Sequence, residues 1–70
     1  MTNTKELEQM IAESGLKKSY IAKVLGLSRQ ALRNKIINAQ PFTTREVQVL
    51  CDVLQIKDLR QKEDIFFGQK

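Results

Sequence analysis

The sequence contains no histidine, and it contains a single cysteine, Cys51. Without histidine, the Ser-His-Asp and Cys-His arrangements of nucleophilic catalysis cannot form, and neither can zinc sites that combine cysteine with histidine. One cysteine cannot form a disulfide within the chain, which suits a reducing compartment such as the cytoplasm. We therefore expect a protein that is not an enzyme and that needs neither a metal nor a cofactor.

Long apolar runs are also missing, and there are only one proline and three glycines. No run approaches the ~18 apolar residues that a membrane-spanning helix needs, and the N-terminal sequence lacks the apolar centre of a signal peptide. We expect no membrane association. A chain of 70 residues is long enough for one small domain, covering residues 1–70, and too short for a second.

Carboxylates are absent from a long central stretch. Residues 14–45 carry seven basic side chains and no acidic one, whereas both flanking regions have a small excess of acid. A solvated surface of a helical protein usually mixes both signs, so a localised basic field indicates a polyanionic partner. Nucleic acid fits best, because no segment pairs these charges with the broad apolar face that binding to a membrane surface requires.

Apolar residues recur at helical spacing, and no segment alternates with the period of a strand for long enough to predict one. The pattern predicts an all-α domain of five short helices. They begin near Asn3, Lys18, Ser28, Thr43 and Asp58, and the C-terminal helix covers about residues 58–67. Thr43 and Glu46 have the spacing of a capping box, which is the clearest helix start in the chain.

The segment from Lys18 to about residue 37 contains two predicted helices that meet at Gly26. Such a tight bend needs a small residue where the helix axes approach, which Ala22 provides, and a positive φ at the turn, which glycine adopts without strain. Apolar residues must then hold both helices to the core, and Leu25 and Leu32 are suitably placed. These features predict a helix-turn-helix over about residues 18–37.

The pattern I-A-x-x-L-G-L-S-R-Q-x-L at residues 21–32 resembles the motif of the Cro/repressor-like helix-turn-helix family of bacteriophage and bacterial regulators. The resemblance extends from residue 4 to about residue 56 and is greatest to small Gram-positive phage and mobile-element repressors. It implies a lambda-repressor-like fold in the cytoplasm of a bacterial cell or phage-infected host, with residues 28–37 entering the major groove. Two departures from the family pattern are lysines at positions 17 and 18, which remove a helix cap, and Lys35, where many members have an apolar residue.

Four polar residues of the third helix share an arc of roughly 140° and are the candidates for base contacts: Arg29, Gln30, Arg33 and Asn34. Arginine can bind guanine through two hydrogen bonds, and glutamine or asparagine can bind adenine in the same way. The alternative is an ordinary solvated polar face. The candidates for phosphate contacts are Lys17, Lys18, Ser28, Lys35, Thr43, Thr44 and Arg45.

A single helix in the major groove contacts too few base pairs to specify one site in a genome. We therefore expect a weak homodimer on a near-palindromic, double-stranded DNA operator, as related folds form. Ile65, Phe66 and Phe67 are the expected dimer contacts, because a chain this short cannot easily bury both phenylalanines. No small-molecule effector is expected, since there is no room for a sensing domain.

The most consistent function is therefore sequence-specific transcriptional regulation of the repressor or Cro type. Two alternatives are compatible with the same sequence. The first is a protein-interaction module of the same fold, similar to an antitoxin or antirepressor, and its main support is the apolar cluster at residues 65–67. The second is an architectural or excision factor that bends DNA, for which no minor-groove wedge is visible.

Overall fold

The computed structural model of the protein describes residues 2–66, and in that part of the chain it contains five α-helices and no strand. The helices are α1 (Thr4–Ser14), α2 (Lys18–Leu25), α3 (Arg29–Ile36), α4 (Thr44–Leu54) and α5 (Leu59–Phe66). The all-α prediction is confirmed, as are the five helix starts to within one residue. Phe67, expected to end the last helix, lies outside the described residues.

Side-chain caps fix the starts of several helices, as the sequence predicts. The Asn3 side chain accepts a hydrogen bond from the Glu6 amide at the start of α1, at 3.1 Å. At the start of α4, the Thr43 hydroxyl accepts from the Glu46 amide at 3.1 Å, and the Glu46 carboxylate accepts from the Thr43 amide at 3.0 Å. Both halves of the predicted capping box are therefore formed.

The turn between α2 and α3 consists of Gly26, Leu27 and Ser28. Gly26 has a φ of 74°, in the left-handed region expected for it. The Leu27 amide donates to the Ala22 carbonyl at 2.8 Å, which closes the end of α2. The Ser28 hydroxyl then accepts from the Ala31 amide at 3.0 Å and starts α3, so that this short turn brings the two helices into contact.

All five helices contribute to one apolar core. Its buried members are Leu7, Ile11, Ile21, Ala22, Leu25, Leu32, Ile36, Val47, Leu50, Cys51, Leu54, Ile56, Ile65 and Phe66. Cys51 is 4% exposed, and burial raises the pKa of its thiol. None of the helices described in residues 2–66 has both the length and the apolar character needed to cross a bilayer.

The placement of α5 corrects one prediction. Ile65 and Phe66 were expected to be dimer contacts, but they are 0% and 4% exposed. Helix α5 packs against α1. The rings of Phe66 and Phe42 form a T-shaped pair, with a centroid distance of 5.8 Å and an interplanar angle of 90°. The prediction was wrong for these two residues because Phe42, which precedes α4, supplies a partner for Phe66; Phe67 lies outside the described residues.

The N-terminal segment is fastened to the ends of two helices. The Thr2 amide donates to the Asn38 side-chain oxygen at 2.9 Å, and the Asn38 side-chain nitrogen donates to the Thr2 carbonyl at 2.8 Å. The Thr4 hydroxyl donates to the carbonyl of Ile36, the last residue of α3. The Asn3 amide donates to the Ile65 carbonyl in α5. These bonds hold residues 2–4 against the ends of α3 and α5.

Candidate nucleic-acid interface

Helix α3 has one buried side and one polar, exposed side. Leu32 and Ile36 are each 1% exposed and hold the helix against the core. Arg29, Gln30 and Arg33 are exposed, and α3 contains no acidic residue. The result is a rigidly supported helix that presents hydrogen-bonding side chains with positive charge to the solvent.

The two amide side chains on this face are hydrogen-bonded to each other. The Gln30 side-chain nitrogen donates to the Asn34 side-chain oxygen at 3.0 Å, and Asn34 is half-buried. This bond orients the Gln30 side chain along the helix. The Gln30 side-chain oxygen and its second N–H take no part in the bond. Those are the two groups that an amide needs to bind adenine.

A groove beside α3 joins its polar side to the beginning of α2. We call it the α3 groove; the described residues that line it are Glu8, Lys18, Arg29, Gln30, Leu32, Arg33, Ile36 and Ile37. Lys18 thus lies next to three of the base-contact candidates. The other expected phosphate contacts are outside this lining; Lys17, Ser28, Thr43, Thr44 and Arg45 are exposed elsewhere on the surface.

Glu8 from α1 pairs with Lys18. The Lys18 ammonium lies 2.8 Å from one carboxylate oxygen and 3.1 Å from the other, and the two side chains are 49% and 40% exposed. The sequence gives no local sign of this pair, because Glu8 lies in the N-terminal acidic flank. Folding therefore brings a carboxylate to the edge of the basic stretch.

The beginning of α2 follows the prediction from its two lysines. Lys17 occupies the capping position, and its side chain makes no capping hydrogen bond. The helix nevertheless begins at Lys18. No acidic residue occurs in its first turn, so the positive end of the helix dipole lies beside two positive side chains.

Lys35 was expected to contact phosphate, but its side chain is largely buried. Its ammonium lies 2.5 Å from a carboxylate oxygen of Glu46, and both side chains are only 11% exposed. A phosphate contact does not fit this placement, because the ammonium faces the protein and is already neutralised. One signal in the sequence was available: Lys35 comes three residues after the buried Leu32, which puts it near the inner side of α3.

The same Glu46 oxygen accepts hydrogen bonds from the Lys35 ammonium and from the Thr43 amide. Burial raises the pKa of Glu46, but the hydrogen bonds from Lys35 and Thr43 outweigh it and hold this pKa below its ordinary value. Glu46 therefore stays ionised at neutral pH. It connects the end of α3 to the start of α4.

Four large apolar side chains in the described part of the chain are exposed: Tyr20, Val24, Ile37 and Leu59. Sequence reasoning did not single them out as exposed apolar surface. Tyr20 and Val24 are four residues apart on α2 and so share one face of it.

Comparison of the chain with protein-family models, with curated proteins and with solved structures gives no match.

Proposed function

We propose that this protein is a sequence-specific, double-stranded DNA-binding regulator of the repressor or Cro type, in which α2, the turn at Gly26 and α3 act as a helix-turn-helix. One observation carries the proposal. Helix α3 is fixed to the core through Leu32 and Ile36 while its outer side presents Arg29, Gln30 and Arg33 without a carboxylate.

The side chains on α3 have the chemistry of base recognition. The major groove of B-DNA, about 12 Å wide, admits a helix and exposes the acceptors of guanine and the donor and acceptor of adenine. Arg29 and Arg33 can each bind guanine through two hydrogen bonds, and Gln30 keeps the oxygen and N–H that adenine requires. Asn34 supports Gln30 from the next turn of the helix.

The surrounding basic and hydroxyl groups are suited to the DNA backbone. We assign phosphate contacts to Lys17 and Lys18 at the start of α2 and to Ser28 at the start of α3. We assign further ones to Thr43, Thr44 and Arg45 at the start of α4, where backbone N–H groups and the helix dipole favour an anion. Lys35 is excluded because Glu46 already binds it.

The proposed complex is a homodimer on a near-palindromic operator. Ile65 and Phe66 are core residues, so the contact between the two copies must use other surface. Selection of bound duplexes from a random pool tests both parts of the proposal. We expect a conserved operator with two inverted half-sites whose centres are about 10 base pairs apart. A single asymmetric site would contradict the dimer, and recovery of unrelated duplexes would contradict sequence-specific binding.

Substitutions on α3 test the base contacts. Arg29→Ala and Gln30→Ala should each weaken binding to the selected operator by about 1–3 kcal/mol and leave binding to random duplex nearly unchanged, because base contacts act only on the correct sequence. Arg60→Ala and Gln48→Ala are matched controls, since both residues are exposed on other helices. Titrations of labelled operator and random duplex give the two affinities. If both α3 variants bind the operator like wild type, α3 is not the recognition helix.

The interaction-module alternative has lost most of its support. It depended on exposure of the cluster at residues 65–67, and the first two of these residues are buried. A salt series still separates the two functions, because binding to DNA weakens steeply with salt as counterions are released. A protein interface without this basic surface would respond much less.

A further inference from the structure

Lys18 is already bound to a carboxylate in the free protein. Both oxygens of Glu8 lie near its ammonium, at 2.8 and 3.1 Å. Among the described residues that line the α3 groove, Glu8 is the acidic one, and Arg29 and Arg33 line the same groove. A DNA phosphate that approached Lys18 would therefore meet Glu8 at short range.

Helix α2 cannot compensate its own N-terminal charge. It has neither an acidic residue in its first turn nor a side-chain cap, and Lys17 precedes Lys18 there. Glu8 reaches this positive end from α1. A phosphate group would have the same charge and would use the same ammonium, so that Glu8 and phosphate are alternative partners of Lys18.

Resting on the DNA-binding function proposed above, we propose that Glu8 is an internal competitor of DNA phosphate for Lys18 and lowers the affinity of the protein for every duplex. Binding of a phosphate to Lys18 breaks the pair with Glu8. The loss of this pair is unfavourable and independent of base sequence. Glu8 thereby weakens the part of DNA binding that depends on charge and not on base sequence.

The competition has a thermodynamic signature in salt. Each lysine that neutralises a phosphate contributes about 0.9 to the slope of log affinity against log salt concentration. When Lys18 leaves Glu8, the released carboxylate attracts a cation, which offsets the counterion released from DNA. Wild-type protein should therefore have a shallower slope than a variant without the charge of Glu8.

The test compares Glu8→Gln with Glu13→Gln. Both substitutions remove one negative charge from α1, and Glu13 is exposed and outside the lining of the α3 groove. On a random 20-base-pair duplex, Glu8→Gln should bind about two- to five-fold more tightly than Glu13→Gln, as expected when an exposed ion pair no longer opposes binding. Its salt slope should be steeper by up to about 0.9. Melting temperatures of both variants confirm that they fold.

Lys18→Ala identifies the cause of any gain. In a Lys18→Ala background, Glu8→Gln and Glu13→Gln should bind the duplex equally, because the contested ammonium is gone. Equal affinities of the two glutamine variants with Lys18 present, or a gain from Glu8→Gln that persists without Lys18, would overturn the competition while leaving DNA binding intact. If wild-type protein and all variants fail to bind duplex at low salt, the DNA-binding proposal itself fails.

Discussion

The Glu46 side chain accepts hydrogen bonds from the end of one helix and from the start of the next. Its carboxylate accepts from the Thr43 amide, which starts α4, and from the Lys35 ammonium at the end of α3. Each side chain of the ion pair is about nine-tenths buried. A residue that sequence patterns assign only to a helix cap thus also fixes the position of the proposed recognition helix.

Glu46→Gln should destabilise the protein by about 1.5–3 kcal/mol at neutral pH, because a hydrogen bond to a charged group is lost and the Lys35 ammonium remains buried without a counter-charge. Urea denaturation measures the free energy of unfolding. Glu63→Gln is the matched control, since Glu63 is exposed on α5, and it should change stability by less than about 0.5 kcal/mol. Equal stability of the two variants would mean that the pair contributes nothing.

The contribution of Glu46 should depend on pH in a defined direction. Its pKa in the folded protein is below the ordinary value of 4.5, so on acidification the unfolded chain takes up this proton before the folded chain does. The stabilisation is complete above pH 4.5 and is lost as the pH falls through the lower pKa of the folded state. The stability difference between wild type and Glu46→Gln should accordingly shrink on acidification; a constant difference would contradict this.

At the scale of elements, the α2–α3 turn depends on backbone conformation more than on space. Gly26 has a φ of 74°, and a Cβ placed there would meet no atom within 4 Å. The cost of substitution is therefore the strain of a left-handed backbone, which β-branched residues tolerate least and asparagine tolerates well.

Gly26→Val should lower the free energy of unfolding by about 1–3 kcal/mol, and Gly26→Asn should lower it clearly less. Both substitutions place a side chain in the same open space, so their difference isolates the backbone strain. Thermal and urea unfolding of the two variants measure it. If valine and asparagine were equally well tolerated, the left-handed turn would not be what joins α2 to α3.

The elements were more predictable than their contacts. The caps at Asn3 and Thr43 and the turn at Gly26 follow from interactions within a few residues, and such signals can be read locally. The pairs Glu8–Lys18 and Lys35–Glu46 join residues ten and eleven positions apart in different helices. They depend on how the helices pack, as does the burial of Ile65 and Phe66, and no local pattern reports that packing.

On the scale of the whole molecule, folding changes the charge pattern that the sequence displays. The stretch 14–45 has no acid of its own, but each acidic flank contributes one carboxylate to it, Glu8 to Lys18 and Glu46 to Lys35. Two of its seven basic side chains are therefore paired. Counting charges along the chain therefore overstates the number available for the proposed contacts with DNA.

The hydrogen bond from the Asn3 amide to the Ile65 carbonyl joins residues near the two ends of the described chain. These ends therefore lie close together in space. A covalent closure should then cost little conformational strain, and the polypeptide can be opened elsewhere. A circular permutant that joins residue 70 to residue 1 through a short Gly-Ser linker and opens between the exposed Lys57 and Asp58 should fold. It should also bind the proposed operator with the same affinity as wild type. A second permutant opened between Leu32 and Arg33, inside α3, should not fold. Circular dichroism measures the folding of both permutants, and titration of the proposed operator measures their affinity. The two results show whether folding and binding depend on the order of the helices along the chain or only on their arrangement in space.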